Sequence, residues 1–392
     1  MNSALHCWCG NANLEVFSPA YLTCSACGTL VTRKMPGTQI SQISDDEQGL
    51  YGREYWFSHQ EQELGFGNIV TRSRTDLSER CLYWLRTVLK YKLPPAKTLE
   101  LGCAHGGFVA LLKQVGFDSS GLELSPWVVN FSRQTFNVPV VCGPVEKQQI
   151  ERESLDVVVL MDVLEHLADP LGTMQHCLSL LKQDGLLVIQ TPRYPTETTY
   201  PEMVDRSDRF LEMLQEHEHL YLFSQDSIRE LFRRLGARYI AFEPAIFAHY
   251  DMFLVVSRQP LSVNTQVKID EFLSSTPENR IVQALLDADG RARQLDLRLR
   301  ESEADRNARL GQINELTQLL QVSEKDRAAR LDQINELTRL LHESLPYLDQ
   351  DMAALRKLKA SLGFRAIRTL GGLESLEGAI SRILTFGEAK KK

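Results

Sequence analysis

No stretch of the 392-residue sequence reaches the ~18 consecutive apolar residues that a membrane-spanning helix requires, so a spanning helix is not expected. The opening MNSALHCWCGN lacks both a basic n-region and a long apolar h-region. It does not read as a secretory leader, and the cytoplasm is the expected compartment. Positive charge is also in short supply: 44 Lys and Arg stand against 51 Asp and Glu, a net charge of −7. With no basic, aromatic-studded stripe, the chain is not expected to bind nucleic acid. A complete Gly-x-Gly-x-x-Gly is missing as well, because Ala104 stands at its middle position. That argues against a dinucleotide cofactor and hydride transfer. Cysteine is thin after residue 27, where only Cys81, Cys103, Cys142 and Cys177 occur, scattered like small buried apolar residues.

What is present falls into five textures. Residues 1–36 hold Cys7, Cys9, Cys24 and Cys27 and end at a Pro-Gly turn. Residues 45–95 mix aromatics and charges, read as a helical lid or substrate segment, and stop at Pro94-Pro95. Over 96–260, short apolar runs (TLELG, SSGLELS, VPVVCG, LDVVVLMD, GLLVIQTP, RYIAFEP, MFLVVSR) alternate with helical periods. Continuous apolar strands separated by helices imply a parallel sheet covered on both faces, a doubly wound α/β fold. Over 265–345 the stretch RLGQINELTQLL (309–320) recurs as RLDQINELTRLL (330–341), a period of three heptads. Leu310, Ile313, Thr317 and Leu320, then Leu331, Ile334, Thr338 and Leu341, keep 3–4 spacing, with Glu324 and Arg327 on the same seam. This is a coiled-coil candidate, from which a homo-oligomer is expected, with a solvated single helix as the alternative. Residues 346–392 form a basic tail in which Phe364, Ile367, Leu370, Leu376, Ile380 and Ile383 could share a face beside Arg365, Arg368 and Arg382. Such a segment suits either peripheral contact with the inner face of a membrane or packing on protein.

Chemistry concentrates in the middle region. Glu100 ends an apolar run directly before the turn Gly102-Cys103-Ala104-His105-Gly106-Gly107, and a helical period follows. Glycines there let backbone approach a ligand closely. Glu100 would set an anion against a pyrophosphate, whereas it complements a cationic ligand end such as the amino group of a methionine moiety. Glu123, followed by Leu124, closes the next strand, where a carboxylate can accept hydrogen bonds from ribose hydroxyls. Asp162 and Val163 end a fourth strand facing the same crevice.

LELGCAHGGFVALL resembles the first motif of class I S-adenosylmethionine-dependent methyltransferases, and GLELSP resembles their ribose-binding strand end. DVVVLMDVLEHLADPLGTMQHCLSLLKQDGLLVIQTP is similar to the fourth and fifth strands of the small-molecule methyltransferases that modify quinones and sugars. The resemblance implies a Rossmann-like sheet, mostly parallel with its last strand antiparallel. It also implies S-adenosylmethionine as cofactor, held by Glu100, Gly102, Cys103, Gly106, Glu123, Leu124, Asp162 and Val163. Through the GPVE turn it adds Val145 and Glu146 at the adenine. Ala104 departs from the family's central glycine, a mild change. His105 is open to cofactor contact, helix capping or a place facing solvent, and His166 to a place at the active-site mouth or a structural role.

Cys7-x-Cys9 and Cys24-x2-Cys27 supply two thiolate pairs, each followed by glycine, on a spacer able to form a hairpin. This is the pattern of a closed structural zinc knuckle, with unligated thiols or a labile redox pair as alternatives. It resembles the amino-terminal zinc module of certain deoxysugar methyltransferases, which implies a part in shaping the acceptor pocket.

An oxygen or enolisable carbon acceptor needs a base. His219, in QEHEHLYLFS, follows the fifth strand by one loop, and Glu218 beside it is placed to orient or charge-tune it. A Glu-His pair of this kind takes part in catalysis in the sugar C-methyltransferases that the chain resembles. Tyr51, Tyr55 and Trp56 are candidates for the substrate side of a lid, and Arg72 for the cofactor carboxylate. His217 has no assigned role. The expectation is O- or C-methylation of a sugar, either a nucleotide sugar or a surface polysaccharide end. The alternatives are a scaffold in a glycan assembly complex that retains a methyltransferase-like domain, or methylation of another small molecule such as a quinone or lipid precursor.

Overall fold

The computed structural model describes residues 5–35, 46–47, 49, 51–63, 65, 67–361, 378, 381–382 and 385. The Pro36-Gly37 turn and almost all of the amphipathic tail after Ser361, Phe364 and Ile367 included, lie outside the described residues. The chain divides into two compact units, Met1–Gln294 and Leu295–Lys392.

In the first unit, β1 (Leu14–Val16), β2 (Tyr21–Cys24) and β3 (Leu30–Thr32) form an antiparallel meander. Helical turns follow over Tyr55–Glu63, then α1 (Ile69–Asp76), a wide turn over Leu77–Cys81, and α2 (Leu82–Tyr91). The large sheet begins with β4 (Lys97–Leu101), α3 (Gly107–Val115), β5 (Asp118–Glu123), α4 (Pro126–Phe136) and β6 (Val140–Cys142). It continues through β7 (Leu155–Met161), α5 (Pro170–Leu180) and β8 (Leu181–Pro192). After α6 (Tyr200–Asp205) comes the short β9 (Tyr221–Leu222), then α7 (Gln225–Arg234), β10 (Tyr239–Glu243) and β11 (Asp251–Ser257). The unit closes with α8 (Gln266–Leu273) and the start of α9 (Pro277–Ala360).

The seven strands lie in the order β10-β11-β8-β7-β4-β5-β6. β4 to β8 are parallel, β11 alone is reversed against β8, and β10 pairs antiparallel with β11. All seven apolar runs in the sequence become strands of this sheet. Every residue of β7 is buried, as a central strand with helices on both faces requires. Local signals end the helices where the crevice needs them ended. Ser125 caps α4 by accepting from Val128 N–H, with Pro126 in the first turn. Asp169 caps α5 by accepting from Gly172 N–H. Strand order reverses beside β4, so the carboxyl ends of β4, β5 and β7 open on one crevice.

Two boundaries differ from the texture of the sequence. The cysteine meander is not self-contained, because β9, from the segment after β8, completes its sheet through Leu30↔Leu222 and Val31↔Tyr221. The first unit also extends past 265: Ile269, Leu273, Val282 and Leu286 are buried in the same cluster as Leu85 and Val88 of α2.

In the second unit α9 continues from Leu295 to Ala360 with most of its apolar residues exposed, among them Leu310, Ile313, Leu331 and Ile334. Among the described residues no helix is long and apolar enough to cross a membrane.

Candidate active site

One cavity of about 420 Å³ opens at the carboxyl edge of the sheet. The centre of its cofactor half is built from contiguous sequence. β4 delivers Glu100, and the turn beyond it bends through left-handed residues at Gly102 (φ 64°), Ala104 (φ 46°) and Gly106 (φ 81°). A Cβ on Gly102 would lie 2.7 Å from Val163 Cγ2, so only glycine lets the two strand ends come this close. Ala104 holds a left-handed conformation that costs a non-glycine residue roughly 1–2 kcal/mol. The central substitution is therefore a strained position as well as a break in a motif.

Glu123, at the end of β5, has one carboxylate oxygen accepting from Leu124 N–H at 2.7 Å and Ser125 N–H at 3.3 Å. The other oxygen accepts from Ala104 N–H at 3.1 Å. Of the roughly four acceptor positions on a carboxylate, those bonds leave one free toward the crevice. Glu100 is buried, and its Oε2 has no hydrogen-bond partner. Burial first, and then the nearby Glu123, push its carboxyl well above the usual range. An orphaned buried oxygen of this kind fits a ligand that brings a cationic donor. The residues present therefore fit the amino acid and ribose parts of S-adenosylmethionine.

Cys103, Leu124, Val145 and Glu146 line the same half of the cavity. Glu146 also accepts from Thr173 Oγ1 at 2.5 Å. Asp162, at φ 57°, accepts from Gln190 Nε2 at 3.0 Å, and Arg80 stands 3.4 Å from its other oxygen. Two further lining residues are held by protein bonds. Arg72 donates to Asp76 at 3.0 Å and to Gln60 at 2.7 Å, because Asp76 lies one helical turn away on the same face. His105 Nδ1 accepts from Gly107 N–H at 3.1 Å, so the proton sits on Nε2, which faces Asp76 at 3.1 Å.

The acceptor half gathers residues from distant segments. His219 is buried, and its Nδ1 lies 2.7 Å from the Met213 carbonyl. A carbonyl only accepts, so Nδ1 carries the proton and Nε2 keeps its lone pair. Burial holds the imidazole below its ordinary value, hence neutral. The bond that orients His219 therefore comes from Met213. Glu218 contributes charge, which raises the basicity of the ring, rather than the orienting bond. Instead the Glu218 side chain accepts from Tyr55 Oη at 3.2 Å, and Gln60 Nε2 donates to the same hydroxyl at 2.9 Å. The Glu218 carbonyl accepts from His166 Nδ1 at 2.8 Å.

Tyr51 Oη lies 3.0 Å from His166 Nδ1, and Trp56 Nε1 donates to the Tyr51 carbonyl. Burial first, and then neighbouring His219, push the His166 imidazole down to about 3. His166 and His219 stack edge to face at 5.0 Å. With buried Glu165 they offer atoms within 4.8 Å of one another, a group able to hold a cation. Nothing in the sequence flagged Glu165 or Asp251, which burial pushes up to about 8 and about 9 beside Asp162. His217 is exposed, near Lys34 and Glu216.

The four cysteines converge as their spacing suggests. Cys7 Sγ lies 3.5 Å from Cys27 Sγ, and Cys9 Sγ lies 3.6 Å from Cys24 Sγ. All four sulfurs fall within 4.8 Å of one another. Disulfide sulfurs sit at about 2.05 Å, while a tetrahedron of zinc–sulfur bonds near 2.3 Å spaces its sulfurs by about 3.8 Å. The donor set fits zinc. The cluster also connects to the acceptor half. From the strands next to it, Tyr21 Oη donates to the His219 carbonyl at 2.9 Å and Thr32 Oγ1 to the Glu216 carbonyl at 2.9 Å, while Thr32 N–H donates to the Leu220 carbonyl. The backbone that carries Glu218 and His219 is thus clamped by the cysteine-bearing meander.

A doubly wound sheet with one reversed strand, an acidic strand end before a glycine turn and a second acid at the next strand end define a class I methyltransferase fold. Residues 73–241 match the family described as a methyltransferase domain. It is similar to the ubiquinone biosynthesis O-methyltransferase of Xanthomonas campestris, 32% identical over 105 residues that cover 25% of this chain and 44% of the relative. The enzyme of that name from Haemophilus ducreyi is 29% identical over 133 residues, 31% of this chain and 56% of the relative. The chain thus spans about half the length of these relatives. Among solved structures it is similar to a Haloferax volcanii complex of the Trm112 methyltransferase activator with a methyltransferase, at TM-score 0.38 and 18% identity, covering 49% of this chain and 97% of that one. A TehB-like S-adenosylmethionine-dependent methyltransferase from Corynebacterium glutamicum is similar at TM-score 0.35 and 18% identity, covering 48% and 96%.

Proposed function

We propose that this chain transfers the methyl group of S-adenosylmethionine to an oxygen or enolisable carbon of a sugar, either a nucleotide sugar or a glycan end, with His219 as general base. The observation that carries the cofactor reading is the buried, unpartnered Glu100 Oε2 beside Glu123. When bound, the cofactor supplies an electrophilic methyl on a sulfonium. Glu100 receives its amino group and Glu123 a ribose hydroxyl, while Gly102, Cys103, Gly106 and Val163 shape the approach. Leu124, Val145 and Glu146 border the adenine, and Asp162 borders the methyl end.

On the acceptor side, His219 Nε2 takes the proton that the acceptor gives up as its bond to the methyl carbon forms. The neutral ring, held by Met213, is ready for that proton without a change of tautomer. Tyr51, Tyr55 and Trp56 border the acceptor, and the Tyr55–Glu218 pair presents polar groups that suit a polyhydroxylated molecule. Zinc on Cys7, Cys9, Cys24 and Cys27 is structural in this reading, with all four positions taken by protein and none left for substrate.

A second reading, O-methylation of a quinol precursor, is favoured by the names of the relatives that match over 105 and 133 residues. Radiolabelled methyl transfer assayed side by side with nucleotide sugars and with catechol-type quinol precursors separates the two. Transfer to sugar is expected, and transfer to quinol alone would replace the sugar reading. Absence of S-adenosylmethionine binding at millimolar concentration by calorimetry would end both.

A further inference from the structure

Helix α9 beyond Leu295 leaves a seam of residues on one face, and the pattern of that seam selects its own partner. Counting Leu310 and Ile313 as core positions a and d, the heptads place Thr317, Leu320, Glu324, Arg327, Leu331, Ile334, Thr338 and Leu341 on the same line. The apolar members are exposed, Leu310 by 54% and Leu331 by 57%. The charges off the seam are committed within the helix: Asp305 to Arg309, Asp326 to Arg330, and Arg339 to Glu336 and Glu343. Among the described residues, Glu324 and Arg327 make no such pair. The two seam threonines are already satisfied, since Thr317 Oγ1 donates to the Ile313 carbonyl and Thr338 Oγ1 to the Ile334 carbonyl, each at 2.7 Å. Each can therefore turn its methyl to an apolar neighbour without stranding a hydroxyl.

We propose that this seam is a self-association surface on which a second copy of the chain docks antiparallel, about a two-fold axis between Lys325 and Asp326. In an antiparallel pair each a position meets a d position of the other copy. About that axis Glu324 meets Arg327 of the second copy, and by symmetry the reverse. Leu320 then meets Leu331, and Leu310 meets Leu341. The remaining layers set each threonine against an isoleucine, Thr317 on Ile334 and Ile313 on Thr338. Leu316 and Leu337, both exposed and flanking the seam at g positions, also fall beside each other, since g flanks g in this orientation.

A parallel, in-register pair sets Glu324 on Glu324 and Arg327 on Arg327, and leaves Leu316 beside Gln321. Buried like charges are costly, so charge complementarity selects the antiparallel arrangement. Shifting the antiparallel register by one 21-residue repeat also matches the charges, through Glu303 and Arg306. Over a seam of equal length it buries twice as many ion pairs, however, and one isoleucine fewer per chain. One layer beyond Leu310 and Leu341, Arg306 would face Leu345, next to Pro346, and the paired stretch ends there. The surface is isologous, the same patch on both copies.

The test uses the full chain with Cys142→Ser, which removes the exposed native thiol. Under mild oxidation, a mixture of Leu310→Cys and Leu341→Cys chains is expected to give a covalent heterodimer, and each variant alone little cross-link. Cross-linking of either variant with itself instead of with the other would establish a parallel pair and overturn the proposal. In sedimentation, Glu324→Arg and Arg327→Glu should each weaken self-association by about tenfold or more, and an equimolar mixture of the two should restore it. A monomeric unmodified chain, or charge variants that associate as the unmodified chain does, would also overturn it.

Discussion

The two halves of the crevice are assembled in different ways. The cofactor half is built around one run of chain, from Glu100 to Ser125, in which a strand, a glycine turn, a helix and a second strand place Glu100 and Glu123 by local geometry, with Val145, Glu146, Asp162 and Val163 added from the strands that follow. The acceptor half draws Tyr51 and Tyr55, Glu165 and His166, and Glu218 and His219 from three segments, the nearest two of them 52 residues apart, with Tyr21 and Thr32 clamping the last of these. A half built locally should tolerate damage elsewhere. A half built by convergence should fail when any of its supports is removed.

The sharpest way to separate the halves is His219→Ala, expected to cut turnover by about 10²–10⁴-fold while S-adenosylmethionine affinity by calorimetry stays put. Parallel losses of turnover and cofactor affinity would break the division. Removing the metal cluster tests the clamp. Metal analysis is expected to find about one zinc per chain, and Cys24→Ser to lose it and lower turnover by about 100-fold through misplacement of His219. Cofactor binding should survive, and a metal-free native protein would remove zinc from the account.

Glu123→Ala attacks the other half. It should weaken S-adenosylmethionine binding by roughly tenfold or more, in keeping with about 1.5–3 kcal/mol for hydrogen bonds to a charged group. Tyr55→Phe, which deletes the bond to Glu218, should raise the acceptor KM by about fivefold, near 1 kcal/mol. Cofactor affinity that changed with it would mean the halves are coupled there. Ala104→Gly is expected to stabilise the fold by about 1 kcal/mol, read from the denaturant midpoint, because glycine adopts the left-handed turn without strain.

The sequence exposed the cofactor half because its geometry is short-range. A carboxylate that ends an apolar run and precedes a glycine turn has few places to go in a doubly wound sheet, so Glu100, Gly102 and Glu123 could be read as a site before any contact was known. The thiolate pairs were legible for the same reason, since each pair lies on one tight turn. Legibility fell with sequence separation. Arg72 was a candidate for the cofactor carboxylate, and only the fold shows its bonds to Asp76 and Gln60. His105 has a polar, loop-like setting in sequence and a structural bond to Asp76 in space. Two-residue β9 carries no periodicity to detect and exists only because β3 is there to pair with it. Glu165 and Asp251 each stand in ordinary sequence, and burial among other carboxylates is a property of the assembled fold.

By itself, then, the sequence determined the class of sheet, the acidic strand ends and glycine turn that border the crevice, the thiolate cluster and the period of the helical seam, because each follows from hydrophobic period or from residues a turn apart. The tertiary structure alone decided that the cysteine-bearing meander holds the segment carrying Glu218 and His219. It also decided that Met213 fixes the tautomer of His219, and that Tyr55 reaches Glu218. Those are contacts between surfaces that local propensity cannot see, formed only once burial has brought distant backbone groups to where each must find a hydrogen-bond partner.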